Sequence, residues 1–163
     1  MTILFSVRDI AEAAVEKEKR RRAFYAKVCE LSTDRTLKDL FQFLTDEEDK
    51  HVAAFTRLRD SLPPETRAEE YDEELDAYMD SVIDDRLYSK IDSAEFVESA
   101  ISSRDVFRLA IGFEKDAIIY FREFLPFLTD ADREIVAGLI EEEKGHIRKL
   151  AEAQKQMCDM SHT

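Results

Sequence analysis

Glycine and proline are scarce in this sequence, with three of each among 163 residues. Folds made of many short strands need these residues at their turns, so such folds are disfavoured. Charged residues make up 37% of the chain and hydrophobic residues 44%, a mixture typical of long amphipathic helices. The composition therefore predicts an all-α protein, and the length is sufficient for one domain with a substantial core.

Cysteine and long apolar runs are also nearly missing. The two cysteines, Cys29 and Cys158, belong to no Cys-x-x-Cys pair, so the chain cannot build a zinc ribbon, a thioredoxin motif or a rubredoxin-type iron centre. No stretch approaches the ~20 apolar residues of a membrane span, and the start MTILFSVRDI has too short an apolar run for a signal peptide. We expect a cytoplasmic protein without a membrane partner.

Positive charge is in deficit, and the net charge of the chain is −13. Nucleic-acid binding needs lysine and arginine concentrated on one face, so we expect no nucleic-acid partner. The deficit is greatest in residues 65–92, where 11 acidic residues accompany three basic ones. We interpret this stretch as a solvated surface segment, and an entrance that attracts cations is the alternative.

Capping residues and helix breakers predict two helices in the first part of the chain. Ser6, with Asp9 three residues later, can cap a helix that runs to about Leu31. A turn at residues 32–34 separates it from a second helix, which ends near Leu62 because two prolines follow.

Similar signals divide the later part of the chain. Ser93 can cap a short helix, and Ser102 or Ser103 can open a third long helix that ends near Pro126. A fourth long helix is predicted over about residues 129–157.

The chain repeats itself at nearly constant internal spacing. The matching segments are residues 15–19 with 111–115, and residues 44–51 with 139–146. Two helical hairpins, residues 6–62 and 103–158, are therefore expected to be related by an approximate twofold axis. The connection between them, residues 63–102, exceeds the usual interhelix length of about 2 to 8 residues and must be a partly helical crossover. These features predict an up-down-down-up four-helix bundle, with residues 1–163 as a single domain.

Two Glu-x-x-His pairs interrupt apolar stripes on the second and fourth helices. Glu48 precedes His51 by three residues, and Glu143 precedes His146 by three, so each pair lies on one helical face. A single pair would be a weak signal in a glutamate-rich chain. Two pairs at equivalent places in a repeat predict a metal site in the bundle core.

The first and third helices each place one glutamate, Glu18 and Glu114, in an apolar line. Four buried carboxylates and two imidazoles would each cost several kcal/mol if they were left unpaired. Two divalent ions would balance the four negative charges. Carboxylate oxygens mixed with imidazole nitrogens favour two iron ions, with manganese or a mixed pair as the alternative, over structural zinc.

One glutamate from each of two helices, with a Glu-x-x-His from each of the other two, is the arrangement of ferritin-like di-iron and di-manganese carboxylate proteins. The chain resembles the rubrerythrin-related branch of that class over nearly its whole length. The motifs that carry this resemblance are Glu18-Lys19 with Phe24-Tyr25, Glu114-Lys115 with Tyr120-Phe121, and Glu47-Glu48-Asp49-Lys50-His51.

The resemblance implies a ferritin-like four-helix bundle with an assigned ligand set. Glu48 and Glu143 would bridge the two metals, and the terminal ligands would be Glu18 with His51 and Glu114 with His146. The sequence departs from rubrerythrin proper in two ways. Ala117 stands one turn after Glu114 where rubrerythrin has an extra glutamate, and the sequence lacks the cysteine tetrad of a rubredoxin domain.

A redox function follows from the resemblance: reduction of hydrogen peroxide or O2, or oxidation of Fe(II). An external electron donor, a rubredoxin-like protein or a flavoprotein, would re-reduce the centre. Proteins of this family usually dimerise, so the resemblance also implies a homodimer. Tyr25 lies two turns from Glu18 and could bond a ligand, although a core tyrosine with another partner is equally consistent. Arg22 is one turn from Glu18 and could pair with a carboxylate, but we expect it to form a surface ion pair.

Three other functions remain open on the sequence. The site could hold or deliver iron without turnover, or the bundle could have a structural role without metal. Substrate oxygenation in the manner of desaturases has no support beyond the shared ligands.

Overall fold

The chain folds as a helical bundle. The computed structural model describes residues 6–63 and 90–160, together with Glu74, Ala77 and Ser81. Within residues 6–63 and 90–160 the α-helices are α1 (Val7–Leu31), α2 (Arg35–Ser61), α3 (Ala94–Ser102), α4 (Val106–Phe124) and α5 (Asp130–Met160). A 3-10 turn, Leu125–Phe127, links the last two. The prediction of an all-α fold is confirmed, whereas most of the acidic stretch at residues 65–92 lies outside the described residues.

Side-chain caps mark the starts of α1 and α2 near the predicted residues. Ser6 Oγ accepts the backbone N–H of Asp9 at 3.0 Å, and the Asp9 carboxylate accepts the backbone N–H of Ser6 at 2.9 Å. This reciprocal capping box satisfies two backbone donors that the first turn leaves free. Asp34 caps α2 by accepting the N–H of Leu37 at 2.8 Å.

The predicted start of the third long helix is wrong by a few residues. Ser102 is the last residue of α3, and the Ser103 hydroxyl donates to the Ser99 carbonyl at 2.8 Å. Serine can therefore end a helix here as well as begin one, because its hydroxyl bonds backwards to the helix. Arg104 has a left-handed φ of 63°, which turns the chain, and α4 begins after Asp105. At the other end of the chain α5 runs to Met160, one turn past the predicted Met157.

Contacts between helices establish the direction of each. The Phe24 and Phe113 rings lie 5.1 Å apart near the middle of the bundle. The Tyr120 hydroxyl donates to the Ile10 carbonyl at 2.6 Å, so the end of α4 meets the start of α1 and the two helices are antiparallel. On the other side Phe43 lies beside His146, whereas His51, two turns later on α2, lies beside Glu142, one turn earlier on α5, so α2 is antiparallel to α5. The predicted up-down-down-up order is therefore confirmed.

Two apolar clusters fill the bundle above and below one polar layer. The first contains Phe55, Phe121 and Val136, and the second contains Phe41 and Leu150. The buried ionisable residues lie along the chain between members of these two clusters. Among the described residues, no helix is long and apolar enough to cross a membrane.

We predict that Asp34→Ala lowers the free energy of unfolding by about 1 kcal/mol, because the Leu37 N–H loses its acceptor at the start of α2. Urea denaturation followed by circular dichroism measures the change. The control is Asp39→Ala, which removes the same group from an exposed position in the same helix, where alanine favours helix formation. Equal losses in the two variants would contradict the capping role.

Candidate metal centre

The six sequence-predicted ligands meet in the polar layer, and all are buried. Helix α1 supplies Glu18 and α4 supplies Glu114, each from the middle of an apolar face. Helices α2 and α5 each supply a Glu-x-x-His pair, as the helical spacing requires. The residues are Glu18, Glu48, His51, Glu114, Glu143 and His146.

These side chains form two overlapping groups of four, each able to offer four ligand atoms within 4.8 Å of one another. The first group is Glu18, Glu48, His51 and Glu143, and the second is Glu48, Glu114, Glu143 and His146. Glu48 and Glu143 belong to both groups. If two metal ions were bound, these two shared carboxylates would be the ones able to reach both.

Glu143 lies between the two imidazole rings. Its Oε1 is 2.9 Å from His51 Nδ1, and its Oε2 is 3.0 Å from His146 Nδ1. The rings are nearly parallel, with centroids 5.6 Å apart and an interplanar angle of 19°. Both Nδ1 atoms thus point into the cluster, where each could bind a metal.

The outer nitrogen of each imidazole faces a second carboxylate. Glu142 Oε2 lies 2.7 Å from His51 Nε2, and Glu47 Oε2 lies 3.8 Å from His146 Nε2. Such outer carboxylates orient the ring and direct its other nitrogen towards the metal. Sequence reasoning missed both residues, although the sequence held a signal: a glutamate stands immediately before Glu48 and before Glu143.

Arg21 is the other residue that sequence reasoning missed. Its buried guanidinium pairs with Glu18 one turn earlier on α1. The spacing of three residues could have indicated it, but Arg21 lies in a run of three arginines that is typical of a helix surface. Its neighbour Arg22 is on the surface and pairs with Asp49, which confirms the ion pair expected for Arg22.

Tyr25 is fully buried and contacts the cluster directly. Its hydroxyl donates to Glu114 Oε1 at 2.7 Å, which confirms that it bonds one of the predicted ligands. The bond joins α1 to α4 and fixes Oε1 of Glu114.

Burial and mutual repulsion make the metal-free cluster hold protons. Burial raises the pKa of Glu48 well above its usual value, and the charges of Glu18 and Glu143 raise it further. Burial, together with the charge of Glu143, raises the pKa of Glu114 to about 8. Burial alone would lower the pKa of His146, but its contacts with Glu114 and Glu143 raise it to about 9. At neutral pH the raised pKa values keep protons on Glu48 and Glu114, and added positive charge would favour their ionisation.

Four carboxylate oxygens in the layer indicate whether the site is suited to a metal ion. They are buried and accept no hydrogen bond from the residues that the structure describes, although buried polar atoms in folded proteins are normally satisfied. The atoms are Glu18 Oε2, both Glu48 oxygens and Glu114 Oε2. Oxygen atoms with free lone pairs beside imidazole nitrogens suit divalent iron or manganese. The residues of the layer are therefore suited to hold these metal ions.

Two solved structures share this architecture. One is a Thermotoga maritima protein provisionally described as a ferritin-like diiron-carboxylate protein. It is 24% identical, with a TM-score of 0.67 over 94% of this chain and 97% of that chain. The other is a hypothetical protein from Pyrococcus furiosus, 19% identical, with a TM-score of 0.64 over 96% of this chain and 92% of that chain. No family model matches the sequence, and no curated protein matches it.

The fold is therefore ferritin-like, and the predicted resemblance to that class of helical bundle is confirmed. At these levels of identity the likeness establishes the fold. The evidence for a metal comes from this chain itself, whose buried glutamate and histidine cluster fits a di-iron site.

We predict that Tyr25→Phe lowers the free energy of unfolding of the metal-free protein by about 1 to 2 kcal/mol, because a buried carboxylate loses its donor. Tyr120→Phe is the matched control, since it removes the same atom from a buried ring that bonds a helix carbonyl. Its loss should be smaller, because that carbonyl belongs to a continuous helix. Urea denaturation of both variants tests the difference, and a larger loss for Tyr120→Phe would contradict the role of Tyr25.

Proposed function

We propose that this chain is a two-metal redox protein that uses iron, with manganese or a mixed pair as the alternative. The observation that carries the proposal is the pair of four-residue groups that share Glu48 and Glu143. Two adjacent groups with common carboxylates suit two ions close together, as cooperative two-metal chemistry requires. The ferritin-like fold, in which such sites occur between facing helices, supports the same conclusion.

When bound, the metal pair would supply the redox chemistry, by exchanging electrons with a small oxidant. The protein residues would bind the ions and orient the ligands. Glu18 and His51 would hold one ion, Glu114 and His146 the other. The Tyr25 hydroxyl would keep Glu114 in position, and the apolar clusters on both sides of the layer would limit access of water.

The substrate that we propose is hydrogen peroxide or O2, with Fe(II) as the alternative. The rubrerythrin-like motifs around Glu18 and Glu114 support this class of reaction. The chain has no Cys-x-x-Cys pair for a rubredoxin centre of its own, so electrons would come from a rubredoxin-like protein or a flavoprotein. We further propose a homodimer in the cytoplasm, where the thiols of Cys29 and Cys158 would stay reduced.

We predict that the purified protein binds two Fe(II) ions per chain and that chelation lowers its melting temperature. The ions would neutralise buried carboxylates, and ligand at about 100 times its Kd stabilises a folded protein by about 2.7 kcal/mol. Elemental analysis and anaerobic thermal denaturation, with and without chelator, test this. Unchanged melting together with an absence of bound metal would reject the centre.

The reaction itself is tested by adding hydrogen peroxide to the iron-loaded protein with excess reductant and a redox mediator. Repeated consumption of peroxide, followed by absorption spectroscopy, is the expected result. A single stoichiometric oxidation without cycling would reject the peroxidase form and favour the alternative, a protein that holds or delivers iron. The molecular mass in solution tests iron storage separately, because a dimer is incompatible with storage in a many-subunit cage.

We predict that Glu142→Ala weakens metal binding by about tenfold, because His51 loses the carboxylate that orients its ring. The control is Glu141→Ala, which removes an adjacent, exposed carboxylate that pairs with Lys144 instead. Competition with a coloured chelator gives both affinities. If the two variants bind metal equally, the contact between Glu142 and His51 does not support the site.

A further inference from the structure

A permanent positive charge lies inside the carboxylate cluster. Arg21 is almost completely buried and pairs with Glu18. Its Nε is 3.8 Å from Glu48 Oε2, and its Nη2 is 3.8 Å from Glu143 Oε1. A guanidinium group does not release its proton in proteins, so this charge persists at every pH at which the protein is folded.

Two further contacts hold the guanidinium in this place. Nη1 of Arg21 donates to the Phe113 carbonyl on α4 at 3.5 Å. The group also lies 6.0 Å from the centre of the Phe121 ring, where the aromatic face attracts a cation. Arg21 is therefore a built component of the core.

The second half of the bundle has no counterpart of this charge at the equivalent position. The repeat aligns Glu18 with Glu114, so Arg21 corresponds to Ala117, three residues later in each case. Ala117 is buried within the apolar cluster that contains Phe121. The approximate twofold symmetry of the ligands is thus broken at this position.

The two groups of possible ligands differ in how many of their carboxylates lie beside Arg21. In the first group, Arg21 faces Glu18, Glu48 and Glu143, so three of its four members already have a cationic partner. In the second group Arg21 faces the two shared carboxylates, while Glu114 is bonded to the neutral Tyr25 hydroxyl. An ion that enters the first group can bind Glu18 through Oε2, the oxygen that accepts no hydrogen bond. It then lies beside a like charge, because Arg21 pairs with Oε1 of the same carboxylate.

We propose that Arg21 is an internal counter-ion that makes the two metal positions unequal. The position formed by Glu48, Glu114, Glu143 and His146 binds a divalent ion first. The position formed by Glu18, Glu48, His51 and Glu143 binds second and more weakly, because its ion lies beside the guanidinium that pairs with Glu18. This inference rests on the proposed two-metal centre and adds an order of filling to it.

Titration with Mn²⁺ alone tests the order, because the electron paramagnetic resonance of free Mn²⁺ counts the bound ions at each step. The variant is Arg21→Ala, which installs the residue found at the equivalent position 117. Arg21→Met is a second variant that fills more of the same space without the charge, in case the alanine variant does not fold. Arg22→Ala is the matched control, since it removes the same charge from a partly exposed neighbour that pairs with Asp49.

We expect the wild type and Arg22→Ala to bind two Mn²⁺ ions in separate steps. In Arg21→Ala and Arg21→Met the second step should tighten by about tenfold or more, within the range of coupling between interacting sites, so that the two steps converge. The metal-free Arg21 variants should also melt at a lower temperature than Arg22→Ala, and Mn²⁺ should remove that difference. A purely structural arginine would lower the melting temperature without tightening the second step.

Two results would overturn the inference while leaving the metal centre in place. One is a wild type that binds two Mn²⁺ ions with equal affinity, and the other is an unchanged gap between the two steps in both Arg21 variants. Absence of bound Mn²⁺ and Fe(II) in every protein would instead reject the proposed centre, and the order of filling with it.

Discussion

The burial of four carboxylates at one level of a helical bundle is the constraint on which the rest of this structure depends. Carboxylates that face one another in a dry core repel and are poorly solvated, so each must find a proton, a cation or a donor. The structure uses all three: raised pKa values at Glu48 and Glu114, the guanidinium of Arg21, and the hydroxyl of Tyr25. Apolar clusters on both sides bury the layer, which makes the need of each carboxylate for such a partner greater.

This constraint explains why the bundle tolerates so much unsatisfied polarity. Several carboxylate oxygens in the layer have no hydrogen-bond donor among the described residues, a state that a structural core would avoid. Local strain of this kind is typical of functional sites, where the surrounding packing maintains an arrangement that binding later relieves. The aromatic contacts of Phe55 with Phe121 and of Phe24 with Phe113 provide such packing on the two sides of the layer.

Helical periodicity allowed the sequence to predict the ligands, because Glu48, His51, Glu143 and His146 interrupt apolar stripes and the repeat then indicates Glu18 and Glu114. It could not indicate Arg21, since an arginine in a basic run has the same local pattern whether its side chain points inwards or outwards. Nor did the stripes indicate Glu47 and Glu142, which lie beside the stripes and reach the imidazole of the opposite hairpin. The helix start was missed near Ser103 because serine can cap either end of a helix.

The sharing of Glu48 and Glu143 between the two groups has a consequence for assembly. The hairpin of α1 and α2 holds three members of the first group, and the fourth, Glu143, comes from the other hairpin. The second group is divided in the reverse way, with Glu48 as the borrowed residue. Neither hairpin can therefore complete a four-ligand position by itself. Docking of the hairpins and completion of both ligand sets are consequently one event.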